Sequence, residues 1–161
     1  MAPSPADTSP ASPVGGVPDV RVSSLYQEII LSHYRAPRHR RVLPGAAAAV
    51  EHSNPLCGDI LSIQTLRDAD LITDAAFSAR ACSITQATAS MLLDRVIGTT
   101  VSEARSIVSQ VESLIDGRPD ADDGSGTLGD LRALASVARF PARKACVRLV
   151  TGALLDALGQ S

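Results

Sequence analysis

Residues 46–98 read AAAAVEHSNPLCGDILSIQTLRDADLITDAAFSARACSITQATASMLLDRVIG, and a change of period inside that stretch decides the fold. In its first part, short apolar runs are broken by turn formers. Ala46 to His52, Ile60 to Leu66 and Leu71 to Phe77 predict three strands, with Asn54-Pro55 and Asp68-Ala69-Asp70 as the turns between them. Connections this short suit antiparallel neighbours, so a small meander is expected. From Ser83 onward the period is helical. Ile84, Ala87, Thr88, Met91, Leu92 and Val96 form one stripe ending at Gly98, and Ser83 with Gln86 predicts a capping box.

Working outward, Leu25, Tyr26, Ile29, Ile30 and His33 or Tyr34 recur at helical spacing, Ser24 and Gln27 suggest a cap, and Pro37 limits a first helix over about 25–34. Downstream, Thr100 and Glu103 cap a helix whose buried face is Val101, Ala104, Ile107, Val108, Val111, Leu114 and Ile115, up to Gly117. Arg118 to Gly126, with Asp120, Asp122 and Asp123, reads as a solvated loop. Leu128, Leu131, Leu134 and Ala135 predict a short helix. Pro141 opens a last one carrying Val147, Val150, Ala153, Leu154, Ala157 and Leu158. The expected fold class is α+β: a three-stranded antiparallel sheet with about five helices packed on one face.

The 161 residues, 45% of them hydrophobic, suffice for one domain with a core. Residues 1–22 are rich in Pro, Ala, Ser and Gly and are expected to form a disordered tail, leaving 23–161 as the domain. That tail has neither the apolar region of an export signal nor the arginines of a transit peptide, so a soluble, cytoplasmic protein is expected. No apolar run is long enough for a membrane span. A net charge of -2 and the scarcity of aromatics, two Phe and two Tyr with no Trp, argue against nucleic acid as a partner. Lys144, the only lysine, is read as compositional drift.

Three cysteines, Cys57, Cys82 and Cys146, cannot all pair within one chain, so metal binding or thiol chemistry explains them better than a disulfide framework. Cys57 and Asp59 are two apart at a strand start, where side chains at i and i+2 point the same way. Should Cys82 and Cys146, each near a helix start, converge on that loop, three thiolates and a carboxylate would suit four-coordinate zinc better than magnesium or calcium. Spacing alone leaves both this site and unremarkable buried cysteines open. His33, His39 and His52 read as surface or packing residues. Ser83 reads as a cap rather than a nucleophile.

Around these cysteines stand Asn54-Pro55-Leu56-Cys57-Gly58-Asp59, the run Cys82-Ser83-Ile84-Thr85 leading to Ala87-Thr88-Ala89-Ser90-Met91, and Phe140-Pro141-Ala142-Arg143 ahead of Cys146. With Leu25 to Tyr34 and Pro37-Arg38-His39-Arg40, they resemble the iron-sulfur assembly family that includes IscU and SufU, over about residues 25–158. Extra residues in the 118–138 region, and Ala145 where IscU has a histidine, resemble the SufU branch. That resemblance implies a zinc-dependent sulfurtransferase that accepts persulfide sulfur from a SufS-type cysteine desulfurase, with other iron-sulfur assembly proteins as further partners. It implies zinc held by Cys57, Asp59, Cys82 and Cys146, Cys57 as the sulfur acceptor, and a histidine of the desulfurase replacing Cys57 at the metal. Arg143, one helical turn before Cys146, would offset the two surplus negative charges of a zinc bound by three thiolates and a carboxylate, and the resemblance also puts it beside the metal. The same ligands would serve a scaffold that holds an iron-sulfur cluster transiently, or a zinc-stabilised interaction domain without sulfur transfer.

Three positions depart from the family pattern: Ala81 in place of a glycine-containing approach to the second cysteine, Ile60 where an arginine is usual, and no tryptophan after Cys146. Ala81 is the one expected to restrict the backbone beside the site or the approach of a partner.

Overall fold

A computed structural model describes residues 20–118 and 126–159. Helix α1 spans Val20–Arg35, strands β1, β2 and β3 span Val50–Asn54, Asp59–Asp68 and Leu71–Arg80, and helices α2 and α3 span Ser83–Val96 and Val101–Ile115. A 3-10 helix over Gly129–Val137 and helix α4 over Pro141–Gly159 complete the order. The sheet is antiparallel in the order β1-β2-β3. Among the described residues the expected α+β fold is present, with three strands and five helices. Among the described residues no helix is long and apolar enough to cross a membrane.

Strand pairing sets the boundaries that the apolar runs left open. Asn54 pairs with Asp59 and Val50 with Ile63, so β1 begins at Val50 rather than Ala46. The alanines of 46–49 have little side chain to pack on a pleated surface. At the other end Ile60 pairs with Arg80, carrying β3 three residues past Phe77. A two-residue turn joins β2 to β3, with Ala69 in the left-handed region at φ 55°. The exposed edge of β3 is covered by a strap after α1: Arg41 donates its amide to the Phe77 carbonyl at 3.1 Å, and Phe77 donates to the His39 carbonyl at 2.9 Å.

Three helix starts differ from expectation, or confirm it, for identifiable reasons. Helix α1 is already formed at Val20, so Ser24 lies inside it and caps nothing, and residues 20–22 belong to the helix rather than to a tail. The remainder of the expected tail, like residues 119–125 of the expected loop, lies outside the described residues. Helix α2 is capped by Cys82, not Ser83, and the Gln86 side chain donates instead to the Ala81 carbonyl at 2.8 Å. Thr100 and Glu103 do form the reciprocal capping box of α3.

One core cluster joins the sheet to the helices. Leu61, Ile63 and Phe77 meet Leu92, Val96, Val147, Val150 and Leu154, with Leu131 and Leu134 of the 3-10 helix in the same cluster. The buried His33 ring is held by Ser90 of α2 and Asp130 of the 3-10 helix, each at 2.8 Å, so its role is packing, tying α1 to both. His39 and His52 sit on the surface against Asp94 and Asp156.

Replacing Ala69 with glycine removes a left-handed β-carbon at an exposed turn. Ala69→Gly is expected to raise the unfolding free energy by about 0.5–1 kcal/mol, the strain relieved less the added chain entropy. Urea unfolding checks this, and an unchanged or lower midpoint contradicts it.

Candidate metal centre

The site is assembled where the β1–β2 connection meets the starts of α2 and α4. Asn54 shapes that connection. Its carbonyl accepts the amide hydrogens of Cys57 at 3.3 Å and Gly58 at 2.8 Å, and its side-chain oxygen accepts that of Leu56 at 3.0 Å. Gly58 then adopts φ +77°, a conformation that returns the chain into β2 at Asp59 and that side chains resist. Cys57 stands exposed on this turn, while Asp59, two residues on, is 5% exposed. Leu56, next to Cys57, is 95% exposed.

Asp59 uses both carboxylate oxygens on α2. Oδ1 accepts the Cys82 amide hydrogen at 3.1 Å, and Oδ2 accepts the Thr85 hydroxyl at 2.7 Å. A strand residue thereby satisfies the start of a helix whose own N-cap side chain makes no capping bond. The negative charge also faces the positive end of the helix dipole. Thr85 is fully buried and was not singled out by the sequence reading, which looked for the cap at Ser83. The available signal was a hydroxyl three residues after a cysteine at a helix start.

Cys146 lies in the second turn of α4, buried, its Sγ donating to the Ala142 carbonyl at 3.4 Å. That end of α4 is fixed to α3 by Lys144 on Asp116 at 3.1 Å and by Arg148 on both Asp116 and Glu112. Lys144, with Arg148 beside it, holds the Asp116 carboxyl below the usual range. The single lysine of the chain thus has a structural partner. Burial pushes the Cys146 thiol up to about 12, aided by its contact with the Cys82 sulfur.

The structure brings the expected donors together. Ligand atoms of Cys57, Asp59 and Cys146 all lie within 4.8 Å of one another. Cys82 joins them through a 3.5 Å contact between its sulfur and that of Cys146, although it stands outside the group in which every donor is that near every other. A tetrahedron with zinc-like bond lengths places its ligand atoms about 3.3–3.8 Å apart, and the 3.5 Å between the Cys82 and Cys146 sulfurs falls in that range. No histidine belongs to that group. Arg143 is exposed, its guanidinium lying over the Phe140 ring at 4.5 Å rather than against a thiol.

Fold and site define a small α+β domain that gathers thiols and one buried carboxylate beside an exposed cysteine turn, the equipment of a metal-binding protein. The chain belongs to the NifU-like N-terminal domain family, whose model matches residues 25–147, and with it to the IscU/SufU proteins of iron-sulfur cluster assembly. It is 35% identical over 136 residues to the zinc-dependent sulfurtransferase SufU of Bacillus subtilis, covering 84% of this chain and 90% of that one. It is 34% identical over 141 residues to the iron-sulfur cluster assembly scaffold protein IscU of Streptococcus pyogenes serotype M1, covering 88% and 87%. The crystal structure of FiSufU, from Fervidobacterium islandicum, superposes with a TM-score of 0.75 at 27% identity, covering 84% of this chain and 97% of that one.

A β-carbon on Gly58 would meet nothing within 4 Å, so any cost of adding one is conformational. Gly58→Ala is expected to lower stability by about 1–2 kcal/mol. Guanidinium unfolding reads the difference, and wild-type stability in the variant would contradict the left-handed turn.

Proposed function

We propose that this chain is a zinc-dependent sulfurtransferase that accepts persulfide sulfur from a SufS-type cysteine desulfurase in the cytoplasm, for delivery to other iron-sulfur assembly proteins. The observation that carries the reading is the unequal anchoring of the donors. Cys57 is exposed on a turn, whereas Cys146 is buried in a helix and Asp59 is bonded twice to α2. Cys57, Asp59, Cys82 and Cys146 are assigned as the zinc ligands. Bound zinc would keep the sulfurs as thiolates at neutral pH.

Closed four-fold ligation shields every sulfur, so transfer requires one ligand to leave, and Cys57 has the least structure to disturb. A donor from the desulfurase would fill the place that Cys57 leaves. The freed Cys57 thiolate attacks the outer sulfur of the desulfurase persulfide; the new bond is Cys57 Sγ to that sulfur, and the desulfurase cysteine departs as thiolate. Arg143 is assigned to offset the negative charge of the ligand set, leaving the Phe140 ring by side-chain rotation to do so.

A second reading, a scaffold on which the cluster forms, uses the same four ligands for iron and is supported by the likeness to the Streptococcus scaffold protein. Incubation with a desulfurase and cysteine separates the two. Stimulated cysteine turnover with sulfur on Cys57 supports transfer; a stable coloured cluster without stimulation supports the scaffold.

Two outcomes are expected. Metal-free protein should take up about one zinc per chain and gain thermal stability. Because the Cys146 thiol is pushed up to about 12, it is protonated through the neutral range, so uptake must release protons and affinity must rise with pH. Titration in weak buffer with an indicator dye measures the release; uptake without it would contradict ligation by Cys146.

Cys57→Ser should reduce persulfide uptake to background while the protein still binds zinc, more weakly. Cys82→Ser and Cys146→Ser should lose zinc affinity and stability first. Mass spectrometry of each variant locates the sulfur. Sulfur on Cys82 or Cys146 of a folded, zinc-loaded Cys57→Ser protein would overturn the assignment.

A further inference from the structure

Thr85 stands at the meeting point of the site without being a candidate ligand. Its hydroxyl is fully buried, 2.7 Å from Asp59 Oδ2 and 3.5 Å from Cys82 Sγ. A threonine has one hydroxyl hydrogen. The carboxylate, nearer and charged, is the acceptor that takes it, leaving the oxygen lone pairs toward the cysteine sulfur. The Cys82 amide holds the other carboxylate oxygen. Asp59 is thus gripped at both oxygens by donors three residues apart in one helical turn, and these two bonds fix the plane of the carboxylate.

We propose that Thr85 is a positioning residue for the metal centre: its hydroxyl orients the Asp59 carboxylate as a ligand and ties it to the α2 turn that carries Cys82. The inference rests on the assignment of Asp59 as a zinc ligand. A carboxylate at the start of a strand has free rotation about its side-chain bonds, and a monodentate ligand must present one oxygen in a narrow range of directions. The backbone amide alone leaves a swivel about a single bond. The hydroxyl supplies the second point and removes it. Outer donors of this kind typically contribute about 10–100-fold to metal affinity.

The test compares Thr85→Val, which keeps the shape and removes the hydroxyl, with Thr85→Ser, which keeps the hydroxyl. Zinc affinity is read by competition with a chromophoric chelator, and the ligand field by absorption of the cobalt(II)-substituted protein. Thr85→Val is expected to weaken zinc by about 10–100-fold and to change the cobalt bands, and Thr85→Ser to stay within about threefold of wild type with its spectrum. In an Asp59→Ala background, Thr85→Val should cost less than about twofold, because the hydroxyl then has no carboxylate to hold. If Thr85→Val does not fold, Thr85→Ala is carried through the same cycle. Wild-type affinity and spectrum in the folded hydroxyl-free variant would overturn the inference, as would an equal loss in both backgrounds. Unchanged affinity in Asp59→Ala alone would instead overturn the assignment of Asp59 as a ligand.

Discussion

The bonding of one buried carboxylate, Asp59, to the first turn of α2 is the interaction on which the arrangement of the site depends. Burying an ionised carboxylate is costly unless its oxygens are satisfied. Here a backbone amide and a hydroxyl satisfy them, and the helix dipole adds to the balance. The sheet and the helix that follows it are thereby locked at a fixed offset. Cys82 makes one of those bonds through its own amide, and Cys57 lies two residues before Asp59, so the lock holds the segments of both cysteines at the site.

Cys146 reaches the same place by a different route. Helix α4 packs its apolar face into the core through Val147, Val150 and Leu154, while Lys144 and Arg148 bind its opening turns to the end of α3. Two of the three thiols therefore sit on elements whose displacement would disturb the core, and the third sits on a turn whose internal bonds all return to Asn54. That contrast gives three chemically equivalent side chains different anchoring.

Where the signal was local, the sequence was readable. Thr100 and Glu103 predict their capping box from adjacent positions, and the three apolar runs locate three strands. Leu128, Leu131, Leu134 and Ala135 predict a short helix; that it is a 3-10 helix shows in the structure, where Leu128, Leu131, Leu134 and Val137, every third residue, are all buried. The four donors, too, were legible as types. What could not be read was satisfied from a distance: the start of α2 is held by a residue 23 positions earlier, so the nearby Ser83 and Gln86 looked like a cap that the chain does not need. Arg143 illustrates the same limit, since its helical spacing from Cys146 says nothing of the Phe140 ring that holds it.

The strap that follows α1 carries an implication for the order in which the chain acquires its shape. Its two bonds to Phe77 span more than thirty residues of sequence and need β3 as a template. The β2–β3 hairpin, closed by a two-residue turn, needs only its own neighbours. Short loops close sooner than long ones, so the hairpin belongs to the early events and the seating of the first helix to the late ones. On a ribosome the first helix would emerge before α2 and the 3-10 helix on which it docks, and would wait until the residues through Asp130 had followed it out.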